Sequence, residues 1–151
     1  MMIKSWVLKL INFWPPFLGS GIRVKKISPD LTSIDVEMKM RFWNKNYVGS
    51  HYGGSLFSMT DPFLMLMLIN NLGQDYIVWD KVASIRFKKP GKGTVRAHFQ
   101  ITPEEIDSIR LQADQGAKVE PVFQVLVLDE SDAVVAEVKK TLYVRRKNLR
   151  V

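Results

Sequence analysis

No cysteine occurs anywhere in the chain. That excludes a disulfide framework, a thiolate nucleophile and any zinc site built on cysteine, and it suits a reducing, cytoplasmic setting. Only two histidines are present, His51 and His98, too far apart in sequence for a metal-binding pair of HExxH type. No metal site is expected. No Gly-x-Ser-x-Gly elbow surrounds a serine, and Ser55 and Ser58 have no partnered base nearby in sequence. The Gly-x-Gly of Gly91 to Gly93 follows Pro90 and precedes a strand pattern, so it reads as a hairpin turn and not as a dinucleotide loop. Long apolar runs are also missing. The unbroken stretch from Phe63 to Ile69 is too short to cross a bilayer.

What is present fits one globular domain over 1–151. The chain of 151 residues is 46% hydrophobic and 25% charged, enough to build one core. Its net charge of +7 favours anionic partners. The cations fall in short clusters, among them Arg86, Lys88, Lys89 and Lys92, and a basic tail over 145–151. Solvated strand ends account for such clusters, and a docking patch for phosphates is the sharper reading.

Ile3, Trp6, Val7, Leu10, Ile11 and Trp14 recur at helical spacing. They predict an amphipathic helix over 1–16, ended by Pro15 and Pro16. It is expected to pack on the domain body, a membrane-surface helix being the alternative. Ile22 to Ile27 reads as a strand. Ile34, Val36, Met38, Met40 and Phe42 alternate with Asp35, Glu37, Lys39 and Arg41, giving a second strand with one buried face. Asn44 to Gly54 is a loop, and Ser55 to Leu72 a helix with no solvent face. Strands follow at Ile77 to Phe87 and Val95 to Ile101. Thr102-Pro103-Glu104-Glu105 is a capping box that opens a helix ending near Gly116. Two more strands, Val119 to Leu128 and Val134 to Val144, close the chain. The fold class is therefore α+β: an antiparallel sheet against a central apolar helix, with an extra N-terminal helix. One helix cannot cover both faces of such a sheet, so association with a second copy is expected.

The loop before the central helix reads Asn46-Tyr47-Val48-Gly49-Ser50-His51-Tyr52-Gly53-Gly54, with Asp61 seven residues beyond Gly54. This resembles hotdog-fold acyl-CoA thioesterases of the phenylacetate-pathway type, whose pattern is Asn-x-x-Gly-x-x-His-Gly-Gly, six residues, then Asp. Asn46, Gly49, Gly53, Gly54 and Asp61 are in register, as is the apolar pair Leu56-Phe57. The strand order agrees from Ile22 to Val144, and the chain is similar to a subgroup of tetrameric acyl-CoA thioesterases. Tyr52 departs from the pattern, standing where the family has histidine, with His51 one residue earlier.

The resemblance implies a hotdog fold and hydrolysis of acyl-CoA or a related thioester. Asp61, reaching across from a partner chain, would be base or nucleophile, with Asn46 orienting water or the carbonyl. The Gly53 N–H is the candidate oxyanion donor, because amides at a helix start are unpaired. Tyr52, Gly54, His51 and Phe57 are candidate substrate contacts. Arg86, Lys88 and Lys89 could meet the phosphates of coenzyme A, which enters as part of the substrate and not as a cofactor. A homodimer or a dimer of dimers is expected.

Plainer readings stand beside these. Asp61-Pro62 is also a helix-start signature; alternatively the helix begins near Gly54 and Pro62 bends it, leaving Asp61 displayed. Asn46 suits a turn, and the methionines near the helix suit core filling. A non-catalytic acyl-CoA or lipid-binding hotdog module is the second functional class. Nucleic-acid binding is a third, raised by Phe87, Phe99 and Tyr143 among basic residues, although strand alternation already explains those aromatics.

Overall fold

A computed structural model describes residues 5–147. Six antiparallel strands form one sheet in the order β1-β2-β4-β5-β6-β3. The strands are β1 (Ile22–Ile27), β2 (Ser33–Lys39), β3 (Tyr76–Phe87), β4 (Thr94–Gln100), β5 (Val122–Leu128) and β6 (Val134–Arg146). Helix α4 (Phe63–Leu72) runs against the sheet, preceded by the short α3 (Gly53–Ser58). Helix α5 (Pro103–Asp114) links β4 to β5. A sheet wrapped on a central apolar helix is the hotdog architecture.

Alternation decides which strand faces are inside. Ile34, Val36 and Met38 of β2 are buried, as are Val95, Ala97 and Phe99 of β4 and Val138, Leu142 and Val144 of β6. Phe63, Leu64, Met67 and Leu68 of α4 fill the space they enclose. Phe63 is the pivot: its ring lies 5.0 Å from Phe99 and 6.0 Å from Phe17, tying sheet, helix and N-terminal segment together. The capping box of α5 forms as the sequence predicts. The Glu105 amide donates to Thr102 Oγ1 at 3.2 Å, and the Thr102 amide to Glu105 Oε2 at 2.7 Å.

Four expectations change. The N-terminal segment is not one helix. It comprises α1 (Ser5–Lys9), a 3-10 turn (Leu10–Phe13) and α2 (Pro15–Ser20), while residues 1–4 lie outside the described part. Pro15 and Pro16 open α2 instead of closing a helix, because proline has no N–H to lose in a first turn. Leu8 and Phe17 are buried, and Asn12 splices the segment to β1 by bonding both the amide (2.7 Å) and the carbonyl (3.2 Å) of Val24.

Strand β2 stops at Lys39, and Phe42 is exposed. The Asn44 side chain causes the turn, accepting from the Arg41 amide and donating to the Lys39 and Ser20 carbonyls. Arg145 and Arg146 belong to β6 rather than to a basic tail, and Lys147 is tied to the Asp75 carbonyl. Residues 148–151 lie outside the described part. Finally, the central helix begins at Gly53, breaks over Met59 to Pro62, and is not covered all round. Met65, Leu66 and Ile69 form a half-exposed apolar stripe on α4.

Candidate functional site

The break between α3 and α4 places Asp61. Pro62 removes an amide and restricts the residue before it, so one continuous helix cannot form. The freed carbonyls of α3 are satisfied locally. Thr60 donates to the Phe57 carbonyl from its amide (3.0 Å) and its hydroxyl (2.7 Å), and the Asp61 amide donates to the Ser58 carbonyl (3.1 Å). Pro62 occupies the cap position of α4, and no side chain caps that helix. Asp61 is therefore not spent on its own backbone; it is displayed at the bend, with a side chain 59% exposed.

One oxygen of that carboxylate is held. Lys140 Nζ donates to Asp61 Oδ1 at 2.8 Å and lies 3.1 Å from Asp80 Oδ2. The Lys140 side chain is only 2% exposed, so this is a buried ammonium offset by two carboxylates. Neither Lys140 nor Asp80 is singled out by the motif. Lys140 alternates in phase with Val138, Leu142 and Val144, and that phase was the available signal for a charge on the inner face. Asp80 lies opposite Leu142 on the same face, just before an irregularity at Lys81 that shifts the register of β3 against β6. Its Oδ1 is buried with no partner among the described residues. Burial pushes the Asp80 carboxyl above its usual range, against the opposing pull of Lys140.

The loop residues before α3 are arranged differently. Asn46 Oδ1 accepts from the amides of Val48 (3.1 Å) and Ser50 (3.0 Å), and its amide group donates to Ser50 Oγ (2.9 Å). This is the local Asx-type turn chemistry of asparagine. His51 is buried; its Nε2 donates to the Gly93 carbonyl at 2.9 Å, and its backbone amide to the Gly91 carbonyl. Nδ1 is then the unprotonated nitrogen and has no partner among the described residues. Burial holds the His51 pKa below its ordinary value, more than the Gly93 contact raises it.

Tyr52 precedes α3 with an exposed side chain and makes no capping bond. Its ring lies across Gly54, where a Cβ would overlap it. A Cβ on Gly53 would come within 3.0 Å of the Phe87 ring of β3. Glycine at both positions lets these exposed aromatic rings lie close to the backbone. As the first residues of α3, Gly53 and Gly54 have amides with no hydrogen-bond acceptor among the described residues. Phe57 is half-buried against the core.

The expected phosphate contacts are partly committed elsewhere. Lys88 pairs with Glu137 at 3.2 Å and Lys89 with Asp129. Arg86 stands opposite Glu137 in the β3–β6 register and has no ion pair among the described residues. Within one chain, then, the fold groups Asp61 with Lys140 and Asp80, and sets Asn46 and His51 into a separate loop scaffold.

The model of the family described as Domain of unknown function (DUF4442) matches residues 4–144. The chain belongs to this family. Solved structures extend the DUF4442 match to the fold. A Pseudomonas aeruginosa protein of unknown function, described as a probable thioesterase, is 22% identical. It aligns over 97% of this chain and 99% of its own, with a TM-score of 0.86. A Haemophilus influenzae thioesterase is 15% identical over 99% and 96% of the two chains, with a TM-score of 0.71. The Escherichia coli protein of the phenylacetic acid degradation operon is 19% identical over 87% and 83%, with a TM-score of 0.61. At these identities the likeness is one of fold, and it establishes the hotdog architecture for this DUF4442 chain. No curated protein matches it by sequence. Among the described residues no helix is long and apolar enough to cross a membrane.

Proposed function

We propose that this chain hydrolyses an acyl thioester, acyl-CoA or a related carrier-bound acyl group, with Asp61 as the reacting carboxylate. The observation that carries this reading is the state of Asp61: exposed at a helix break, free of any capping duty, and fixed through a single oxygen by a buried lysine. The thioesterase described from Haemophilus influenzae and the shared fold support the same class of reaction.

As a base, Asp61 takes a proton from water while the water oxygen bonds to the thioester carbon. The carbonyl oxygen gains negative charge near unpaired amides such as that of Gly53, and collapse breaks the C–S bond, releasing a thiolate that takes up a proton. As a nucleophile, Asp61 bonds to the acyl carbon directly, and water then cleaves the resulting anhydride. The apolar stripe Met65, Leu66 and Ile69, and the exposed Trp79, Val82 and Phe87 on the sheet-edge strand β3, suit burial against a second copy. A homodimer would bring Asp61 of one chain to the Gly53 amide of the other, with the acyl group between.

A panel of acyl-CoA esters assayed for thiol release, beside the Asp61→Ala variant, tests this. Turnover by the native chain and its loss in the variant, with acyl-CoA binding retained, is the expected result. Undiminished release by Asp61→Ala would remove the mechanism.

A second reading, a non-catalytic acyl-CoA or lipid-binding module, draws on Tyr52. Its ring covers Gly54 beside the start of α3, where the family pattern has histidine. That reading predicts saturable acyl-CoA binding without thiol release.

A further inference from the structure

The proposed reaction uses Asp61 and leaves two charged groups beside it unexplained, the buried Lys140 and the half-buried Asp80. Burying an ammonium is costly unless opposite charges and hydrogen bonds compensate it. A salt bridge to Asp61 alone would compensate Lys140 and would also make Asp61 a poor base, since an adjacent cation favours its ionised form. Asp80 supplies a second negative charge on the same nitrogen, at 3.1 Å against 2.8 Å for Asp61. The two carboxylates also act on each other. The other ionisable neighbour on β3, Lys81, pairs with Glu120 instead.

We propose that Lys140 and Asp80 are positioning residues for Asp61. Lys140 pins Oδ1 and leaves Oδ2 to face water, and Asp80 takes up part of the lysine charge, so that the buried cation is not answered by Asp61 alone. This rests on the reading of Asp61 as the reacting carboxylate. It adds a role to two side chains outside the motif, neither of which needs to touch substrate. The burial of Asp80 and its partnerless Oδ1 accord with a group kept for its charge rather than for a saturated hydrogen-bond network.

Removing one member changes Asp61 in opposite directions. In Asp80→Asn, Lys140 retains only Asp61 as counter-ion, so the net charge beside Asp61 becomes more positive. In Lys140→Met, two carboxylates face each other without the cation, so it becomes more negative. A close charge moves a carboxylate by about one to three pH units.

The test is the pH profile of kcat/KM for thiol release by the native protein, Asp80→Asn and Lys140→Met, with Asp61→Asn as a reference. The acid limb is expected to move down by about one unit or more in Asp80→Asn and up in Lys140→Met. An unmoved limb in Asp80→Asn, with Asp61→Asn inactive, overturns this inference and leaves the thioesterase reading standing. Activity in Asp61→Asn removes that reading itself. Loss of activity in Asp80→Asn together with activity in Asp61→Asn would make Asp80 the base and overturn both assignments. Should Lys140→Met fail to fold, Lys140→Arg gives a second readout. It keeps a cation beside Asp61 and is expected to leave the acid limb in place while Asp80→Asn moves it, and equal limbs in the two variants count against the pair.

Discussion

Two polar clusters flank α3, and they are built on opposite terms. On the loop side, Asn46 answers both amides that face it and His51 locks onto the 91–93 turn. On the break side, Lys140, which also pairs with Asp80, holds one oxygen of Asp61 and leaves its carboxylate largely in solvent. The loop-side bonds run mainly to backbone groups and fix a backbone path, although His51 Nδ1 is left without a partner among the described residues. The break-side cluster, with an exposed acid held through one oxygen, places electrostatic potential where a substrate can meet it. The motif residues therefore divide by role: Asn46 and His51 shape the loop, and Asp61 is presented.

Several changes would break or sharpen this contrast. The largest effect on stability is expected from Lys140→Ala, which strands two carboxylates. A loss of about 2 kcal/mol is expected from the lost charge-assisted bonds to the half-buried Asp80 and to Asp61, since Asp61 recovers much of its hydration. Urea unfolding at pH 7 measures it. The loss should shrink in acid. Burial raises the native pKa of Asp80 above its unfolded value of 3.8, so Asp80 already binds a proton in the native state as pH falls toward 3.8 and the uncompensated charge disappears.

Asn46→Ala is expected to cost about 1–2 kcal/mol, because the Val48 and Ser50 amides lose their acceptor. It should weaken acyl-CoA binding through loop disorder more than it slows the chemical step. A kcat loss with unchanged KM would instead place Asn46 at the reacting atoms.

His51 predicts a pH effect confined to the loop side. Its native pKa lies below the unfolded value of 6.5, so its contribution is complete above that pH. It is lost as pH falls through the native value, because the unfolded state binds the proton first. Urea midpoints should decline below about pH 6.5, and His51→Asn should flatten that decline.

The smallest effect is the control. Thr102→Ala removes the α5 cap, far from both clusters, and should cost about 1 kcal/mol with turnover unchanged.

Much of this was legible in sequence. The capping box gave the start of α5, and alternation in β2, β4 and β6 gave the buried faces. Other features were not, for physical reasons. Pro15 and Pro16 read as a stop, yet they open α2, whose Phe17 packs into the core. Met40 and Phe42 continue the β2 alternation, but a side chain, Asn44, turns the backbone first. Asp61-Pro62 supports a cap or a bend; Pro62 itself takes the cap position of α4, and the Asp61 side chain turns to Lys140, 79 positions away. Lys140 adjoins the exposed Lys139 in sequence, and its phase with Val138 and Leu142 sends it inward. Asp80 precedes a register irregularity that periodicity cannot foresee.

The central claim is that Asp61 reacts rather than supports. The most direct measurement is thiol release by Asp61→Asn set against its thermal unfolding midpoint, since asparagine keeps an acceptor for Lys140 while losing the charge. A fall in turnover of about 100-fold or more, with the midpoint within a few degrees of the native chain, is predicted. Native-like turnover, or collapse of the fold with the charge, would contradict it.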